Sequence, residues 1–221
     1  MLDRDELLRR YALADRGTPH VRVNFVASLD GSATIEGRSG GLGNADDQRL
    51  LGVLRELGDV VLVGAGTVRA EGYGGVHVPL ALVSSSLDLP ASHPFFADAP
   101  SPRFVITHAA APAALRAELS KVAEVIVCGE RTVDLRLAIA ALAERGMPKV
   151  LCEGGPRLFG DLIANDLVDE FCLSLSAMLV GGEGRRIAEG TDGVHQRMRL
   201  AASIPTEQML FLRYVRRGPD G

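Results

Sequence analysis

Three stretches of the chain carry residue types that could do chemistry at the ends of apolar runs. In "VLCEGGPRLFGDLIA" (150–164) an apolar run ends at Cys152. Glu153, Gly154, Gly155 and Pro156 follow, and then an amphipathic pattern begins. Two residues without Cβ let a ligand approach the main chain closely. Pro156 fits the first turn of a helix, whose free N–H groups and dipole attract anions. A pyrophosphate would suit that turn; a tight strand-to-helix connection needing positive φ is the other reading.

The second stretch, "VGAGTVRAEGYGG" (63–75), also follows an apolar run. Gly64 and Gly66 match the first two glycines of G-x-G-x-x-G, but Arg69 stands where the third belongs. No acidic residue follows at a strand end about 20 positions on, where ribose recognition in that fold would need one. The next apolar run ends instead in Ser84, Ser85 and Ser86. Hydroxyls and N–H groups there could accept a 2′-phosphate, with Arg69 adding charge. That favours NADPH over NADH, although three serines also make an ordinary loop start. The third stretch, "NFVASLDGSATIEG" (24–37), sets Asn24, Ser28 and Asp30 around an apolar strand end. Asp30-Gly31 is also a good turn pair. The glycine-rich "GRSGGLGN" (37–44) could serve as a lid.

Other chemistries are absent from the pattern. Five histidines show no metal-ligand spacing and no cysteine pair lies near them, so no metal is expected. There is no G-x-S-x-G elbow and no G-K-[ST] loop. A net charge of −4 offers no broad basic surface, so nucleic acid is not expected as a partner. The one basic cluster, "RYVRRG" (213–218), reads as a solvated terminal strand. Cys128, Cys152 and Cys172 each sit inside an apolar run, as small buried hydrophobes of a protein in a reducing cytoplasm. The amino terminus lacks the apolar core of a signal peptide, and no apolar run reaches about 18 residues, so no membrane partner is expected.

The elements that must position these groups alternate. Helices are expected at 3–11, 45–57, 112–120, 134–145 and 156–165, and strands at 21–28, 60–64, 79–84, 103–107, 124–128 and 149–152. Asn44 should cap the second helix, with Asp46 and Asp47 in its first turn and Leu50, Leu51, Leu54 and Leu57 on its buried face. Repeated strand–helix alternation argues for an α/β fold with a mostly parallel central sheet and helices on both faces. The end differs. The stretch 169–177 alternates Phe171, Leu173 and Leu175 with Cys172, Ser174 and Ser176, and 198–204 with 209–215 reads as an antiparallel hairpin. The apolar set or the hairpin could form a dimer seam or ordinary core. With no break in composition, one domain over 1–221 is expected, its core at 20–217.

Taken in order, "SLDG" (28–31), "LRELGDVVLVGAGTV" (54–68), "LCEGGPRLFGDLI" (151–163) and "LVDEFCLSLSAMLVGG" (167–182) resemble the reductase domain of the riboflavin-biosynthesis deaminase–reductases. That domain is dihydrofolate reductase-like in fold. The resemblance implies NADPH as cofactor, a homodimer, and reduction of the ribose of 5-amino-6-(5-phosphoribosylamino)uracil to a ribityl chain. It places the nicotinamide on the Ala27–Ser28 backbone and Gly66, Thr67 and Val68 along the middle of the cofactor, after Gly64. It sets Ser84, Ser85 and Arg69 at the adenosine phosphate. Glu153, Gly154, Gly155, Pro156, Arg157 and Leu158 would cradle the pyrophosphate, and Asn24, Ser28 and Asp30 would face the substrate. The H-x-E and P-C-x-x-C zinc motif of the family's deaminase half does not occur in this sequence, which reads as a stand-alone reductase. After G-T-V the family's D-D-P-x-L segment is replaced by Ala70-Glu71-Gly72-Tyr73, so Glu71 stands in for a substrate-binding acid. Asp30 is the expected proton donor, with Glu153 next. Asp46 or Asp47 would be the pterin-binding acid if the substrate were a dihydropterin or dihydrofolate, and a non-catalytic NADP-binding protein is the third reading.

Overall fold

The computed structural model describes residues 2–13, 15–190 and 194–217. Gly218, which closes the basic terminal stretch, lies outside them. The chain opens with helix α1 (Arg4–Tyr11), capped by the Asp3 carboxylate on the Glu6 N–H. Strand β1 (His20–Ser28) leads through the glycine-rich loop to α2 (Ala45–Leu57). The Asn44 side chain accepts from the N–H groups of Asp46 and Asp47, and so fixes where α2 starts. Strand β2 (Val60–Gly64) follows, then α3 (Ala65–Glu71), β3 (Leu80–Val83), α4 (Pro94–Ala97) and β4 (Arg103–Thr107). Next come α5 (Ala113–Leu119), β5 (Glu124–Val127), α6 (Leu135–Glu144), β6 (Lys149–Cys152) and α7 (Pro156–Ala164). The chain ends in β7 (Glu170–Ser176), β8 (Met198–Pro205) and β9 (Met209–Arg216).

Two helices were not legible. Residues 63–75 read as a glycine-rich turn, yet α3 lies there. Gly64 and Gly72 fall at its two caps, and only Gly66 sits inside it. The short α4 starts at Pro94, with His93 Nδ1 accepting from the Phe95 N–H.

The strands form one sheet in the order β5-β4-β3-β2-β6-β1-β7-β9-β8. Pairings from β5 through to β7 are parallel, and β9 runs antiparallel to both β7 and β8. The chain moves outward from β2 to β5 and then returns to insert β6 between β2 and β1. The carboxyl ends of these middle strands make the crevice in which open α/β sheets bind ligands. Strand β2 shows why the sheet is buried on both sides. Val61 and Val63 join one core with Leu7, Tyr11, Leu50 and Leu54, whereas Val60 and Leu62 join another with Ala138, Leu142, Leu158 and Leu162. Helices α1 and α2 cover the first face, and α6 and α7 the second. On α2, Leu50 and Leu54 are buried with Val53, while Leu51 and Leu57 are only half-buried.

Strand β7 keeps its expected alternation, but its polar set is the buried one. Glu170, Cys172, Ser174 and Ser176 face inward, and Phe171, Leu173 and Leu175 are half-buried. Glu170 is paid for by cations. It binds Arg213 through two contacts of 2.9 Å and lies 2.6 Å from Arg22 Nε. Both arginines also donate to carbonyls of α1, Arg22 to Tyr11 and Arg213 to Arg10, which docks the helix on the sheet. On the other face Phe171 stacks on Phe159 of α7, itself stacked on Phe25. All three cysteines are buried and free. Among the described residues no helix is long and apolar enough to cross a membrane.

Candidate active site

A cavity of about 860 Å³ opens at the carboxyl ends of β1, β2, β3 and β6, at the upper end of the range for small-molecule sites. Its wall includes Asn24, Gly64, Gly66, Thr67, Arg69, Glu71, Ser84, Ser85, Glu153, Gly155, Pro156, Arg157 and Leu158. The topology therefore gathers most residues of the three polar stretches around one space. Gly37, Ser39, Gly40 and Gly43 of the glycine-rich loop also line it.

The glycine pair has a packing reason as well as an opening. The Gly154 carbonyl accepts from the Gly64 N–H at 2.8 Å, joining the two glycine turns. Gly154 has φ +96°, and a Cβ there would meet the Phe25 ring at 3.0 Å. A Cβ on Gly155 would lie 2.5 Å from Thr67 Oγ1. The peptide between the two glycines is cis. Gly155 is the N-cap of α7 and gives it no side-chain hydrogen bond. The first-turn N–H groups of Arg157 and Leu158 have no partner within the helix. Arg157 brings a cation to a helix end that disfavours cations. An anion resting on this turn satisfies the amides and the guanidinium together. Across the cavity, a Cβ on Gly66 would meet nothing within 4 Å, so the wall is open there. The residues present thus fit an extended anionic dinucleotide.

Ser84 is buried, and its hydroxyl accepts from the Leu87 N–H at 3.0 Å; Ser85 and Ser86 are exposed at the rim. Arg69 reaches the same rim and pairs with Asp88 at 2.7 Å. Val68 points the other way, fully buried in the core. Ala27 and Ser28 are buried behind the wall rather than in it. Ser28 Oγ bonds Asp30 and accepts from the Ser32 N–H, so its hydroxyl is spent within the turn.

Asp30 also lies outside the cavity lining. Its carboxylate accepts from Ser28 Oγ and from the N–H groups of Val180 and Gly181. The Ser28 hydrogen bond and those two amides lower its pKa to about 2. A group so firmly ionised is a poor proton donor at neutral pH. Glu71, on the wall, holds the loop in place, accepting from both the N–H and the hydroxyl of Ser39.

The pattern of the sequence did not expose two features. Asp47, raised only as one of two alternatives, is a cavity residue that is 7% exposed. Burial raises its pKa, with the Ser174 hydroxyl pulling the other way. No local pattern marks Tyr73. It holds φ +59°, unusual for an aromatic residue, and its hydroxyl donates to Glu153 Oε2 at 2.9 Å. Arg55 grips the same carboxylate through Nε and Nη2, both at 2.7 Å, and lies 5.8 Å from the centre of the Tyr73 ring. Burial, then the Glu153 charge, push the Tyr73 pKa well above its ordinary value. Among the described residues no group of three or more His, Cys, Asp or Glu is placed to hold a metal.

Comparison with known proteins bears on this site. Residues 19–210 match the RibD C-terminal domain family. The 2,5-diamino-6-ribosylamino-4(3H)-pyrimidinone 5′-phosphate reductase of Methanothermobacter thermautotrophicus is 28% identical, over 90% of this chain and 99% of that protein. The crystal structure of a pyrimidine reductase-like protein from Corynebacterium diphtheriae superposes with a TM-score of 0.84 at 26% identity, over 98% of this chain and 100% of that one. Dihydrofolate reductase from Enterococcus faecalis, solved with NADP(H), shares the fold at a TM-score of 0.56 and 14% identity, over 90% of this chain and 97% of that one.

Proposed function

Since the chain belongs to the RibD C-terminal domain family of pyrimidine reductases, we propose that it is an NADPH-dependent reductase of a ribosylaminopyrimidine 5′-phosphate in riboflavin biosynthesis. The observation that carries this reading is the convergence of two glycine turns and a serine rim on one crevice. Gly64, Gly66 and Thr67 form one side, Gly155 to Leu158 the other, and Ser84 to Ser86 the end. In this reading the α7 turn and Arg157 hold the pyrophosphate. Ser85, Ser86 and Arg69 hold the 2′-phosphate, which makes the cofactor NADPH, with Arg69 leaving Asp88 to do so. When bound, the reduced nicotinamide supplies a hydride.

The substrate's ribosyl ring opens to an imine at C1′. Hydride addition to that carbon and proton delivery to the nitrogen give the ribitylamino product. Asn24 and Glu153 face the heterocycle, and Glu71 keeps the glycine-rich loop over it. We assign the proton to Asp47 in place of Asp30, because Asp47 is in the wall and burial keeps its proton on to higher pH. The Methanothermobacter relative is named for the diaminopyrimidinone rather than the uracil, so the diamino compound is the first substrate in this proposal and the uracil the second. The half-buried Phe171, Leu173 and Leu175, with exposed Leu200 and Leu210 alongside, form the seam of a homodimer in the same reading.

Steady-state oxidation of NADPH tests the reading, with each ribosylaminopyrimidine phosphate and with dihydrofolate. Turnover confined to the pyrimidines supports it. Turnover confined to dihydrofolate gives the fold a different substrate, and NADPH binding without turnover makes the protein a binding module.

A further inference from the structure

Three residues of the cavity wall, Tyr73, Glu153 and Asn24, carry hydrogen-bond acceptors. A phenol has one proton, and that of Tyr73 is spent on Glu153 Oε2, so its oxygen has only lone pairs left to offer a ligand. Glu153 Oε2 is filled by Tyr73 and Arg55, while Oε1 takes one bond from Arg55 Nε and keeps a further acceptor position. Arg55, the donor behind them, is not in the cavity wall. The third acceptor is Asn24 Oδ1, a buried atom with no hydrogen-bond partner. The β1–β6 register ends with Val23 opposite Cys152, so Asn24 of β1 and Glu153, the first residue past β6, each follow that pair. An orphan buried acceptor calls for a donor on the ligand. Tyr73 is held there in a left-handed conformation between Gly72 and Gly74, a strain of a kind that collects at functional sites.

We propose that Tyr73 and Asn24 are the specificity-determining residues of this site, making its wall of acceptors select an amino-bearing pyrimidine over the oxo counterpart. The proposal rests on the reading of the site as a ribosylaminopyrimidine reductase. An exocyclic amine donates to such a wall. A carbonyl in the same place sets lone pair against lone pair, and a buried polar mismatch of that sort discriminates strongly. Tyr73 also positions Glu153, because its hydroxyl and Arg55 fix the carboxylate plane from two sides.

The experiment compares kcat and KM for the diaminopyrimidinone and the aminouracil, each as its ribosylamino 5′-phosphate, in wild type, Y73F and N24A. Melting temperature and the KM for NADPH are measured alongside. Wild type should prefer the diamino substrate by about 10-fold or more in kcat/KM, mostly through KM. Y73F keeps the ring over Arg55, so it should stay folded and bind NADPH as before. Its KM for the diamino compound should rise severalfold, and its preference should shrink to within about 3-fold. N24A should narrow the preference in the same direction. A wild-type enzyme that favours the uracil or does not discriminate overturns the proposal, as does a preference that survives both substitutions. In those cases the reductase reading stands. A wild-type protein that reduces neither pyrimidine overturns both.

Discussion

Two nearly buried glutamates, each gripped by arginine, sit at opposite ends of the sheet. Glu170, at the start of β7, is enclosed by Arg22, Arg213 and, at 3.6 Å, His20. Glu153, just past the end of β6, is held by Arg55 and Tyr73 and forms part of the cavity wall. The first cluster is closed on itself and ties three strands and a helix together. The second is supported from behind and leaves acceptor positions facing a ligand. The same chemical pair serves as a clamp where solvent and ligand are excluded, and as a recognition surface where one side is open. Burial alone would raise the Glu170 pKa; its His20, Arg213 and Arg22 contacts overcome that and hold it well below the carboxylate range.

The closed cluster is the more costly of the two to break. Glu170→Gln leaves Arg22 and Arg213 without a counter-charge and should cost about 3–5 kcal/mol of stability in denaturant unfolding. The sign of the pH dependence follows from the lowered pKa. In wild type the contribution is full above the unfolded-state value of about 4.3, and it fades as pH falls toward the folded value. E170Q should lose that acid dependence while the activity per folded molecule stays near wild type.

At the open end the largest effect should fall on rate. Asp47→Asn removes the proposed proton donor and should lower kcat by roughly 100- to 1,000-fold with NADPH affinity intact. Because its pKa is raised, the wild-type rate should fall as pH rises through that value, and D47N should lack this limb. An unchanged kcat would remove Asp47 from the reaction.

A smaller effect is expected where the wall is braced. A Cβ on Gly160 would collide with the Glu189 carbonyl oxygen, and the segment around Glu189 carries Arg185 into the cavity wall. Gly160→Ala should displace that segment, costing about 1–3 kcal/mol and weakening substrate binding more than NADPH binding. Calorimetry with each ligand separates the two. The smallest change is expected from Arg157→Ala. NADPH affinity should drop about 5- to 10-fold, near 1 kcal/mol, while unfolding stability holds or rises by a few tenths, since a cation leaves a helix N-terminus.

What the sequence could show was local. The run 60–64, the Asn44 cap and the turn from Cys152 to Pro156 each encode their structure within a few residues, and each element formed where the pattern placed it. The alternation of 169–177 was legible, but not which face is buried. That depends on Arg22, 148 residues before Glu170, and on Arg213, 43 after it. The Glu153 cluster joins residues 98 and 80 positions apart, so no local pattern announces it. Helix α3 was hidden because glycines that cap a helix look like glycines that break one. A turn-forming Asp-Gly and a substrate-facing acid have the same letters, so Asp30 reads as catalytic; its partners Val180 and Gly181 lie 150 and 151 residues away.

The most direct test of the central claim is the absorbance of the reduced nicotinamide after wild-type protein is mixed with NADPH and 2,5-diamino-6-ribosylamino-4(3H)-pyrimidinone 5′-phosphate. That absorbance should be lost stoichiometrically, with the ribitylamino product recovered in equal amount. Absorbance that stays constant at saturating concentrations of both would contradict it.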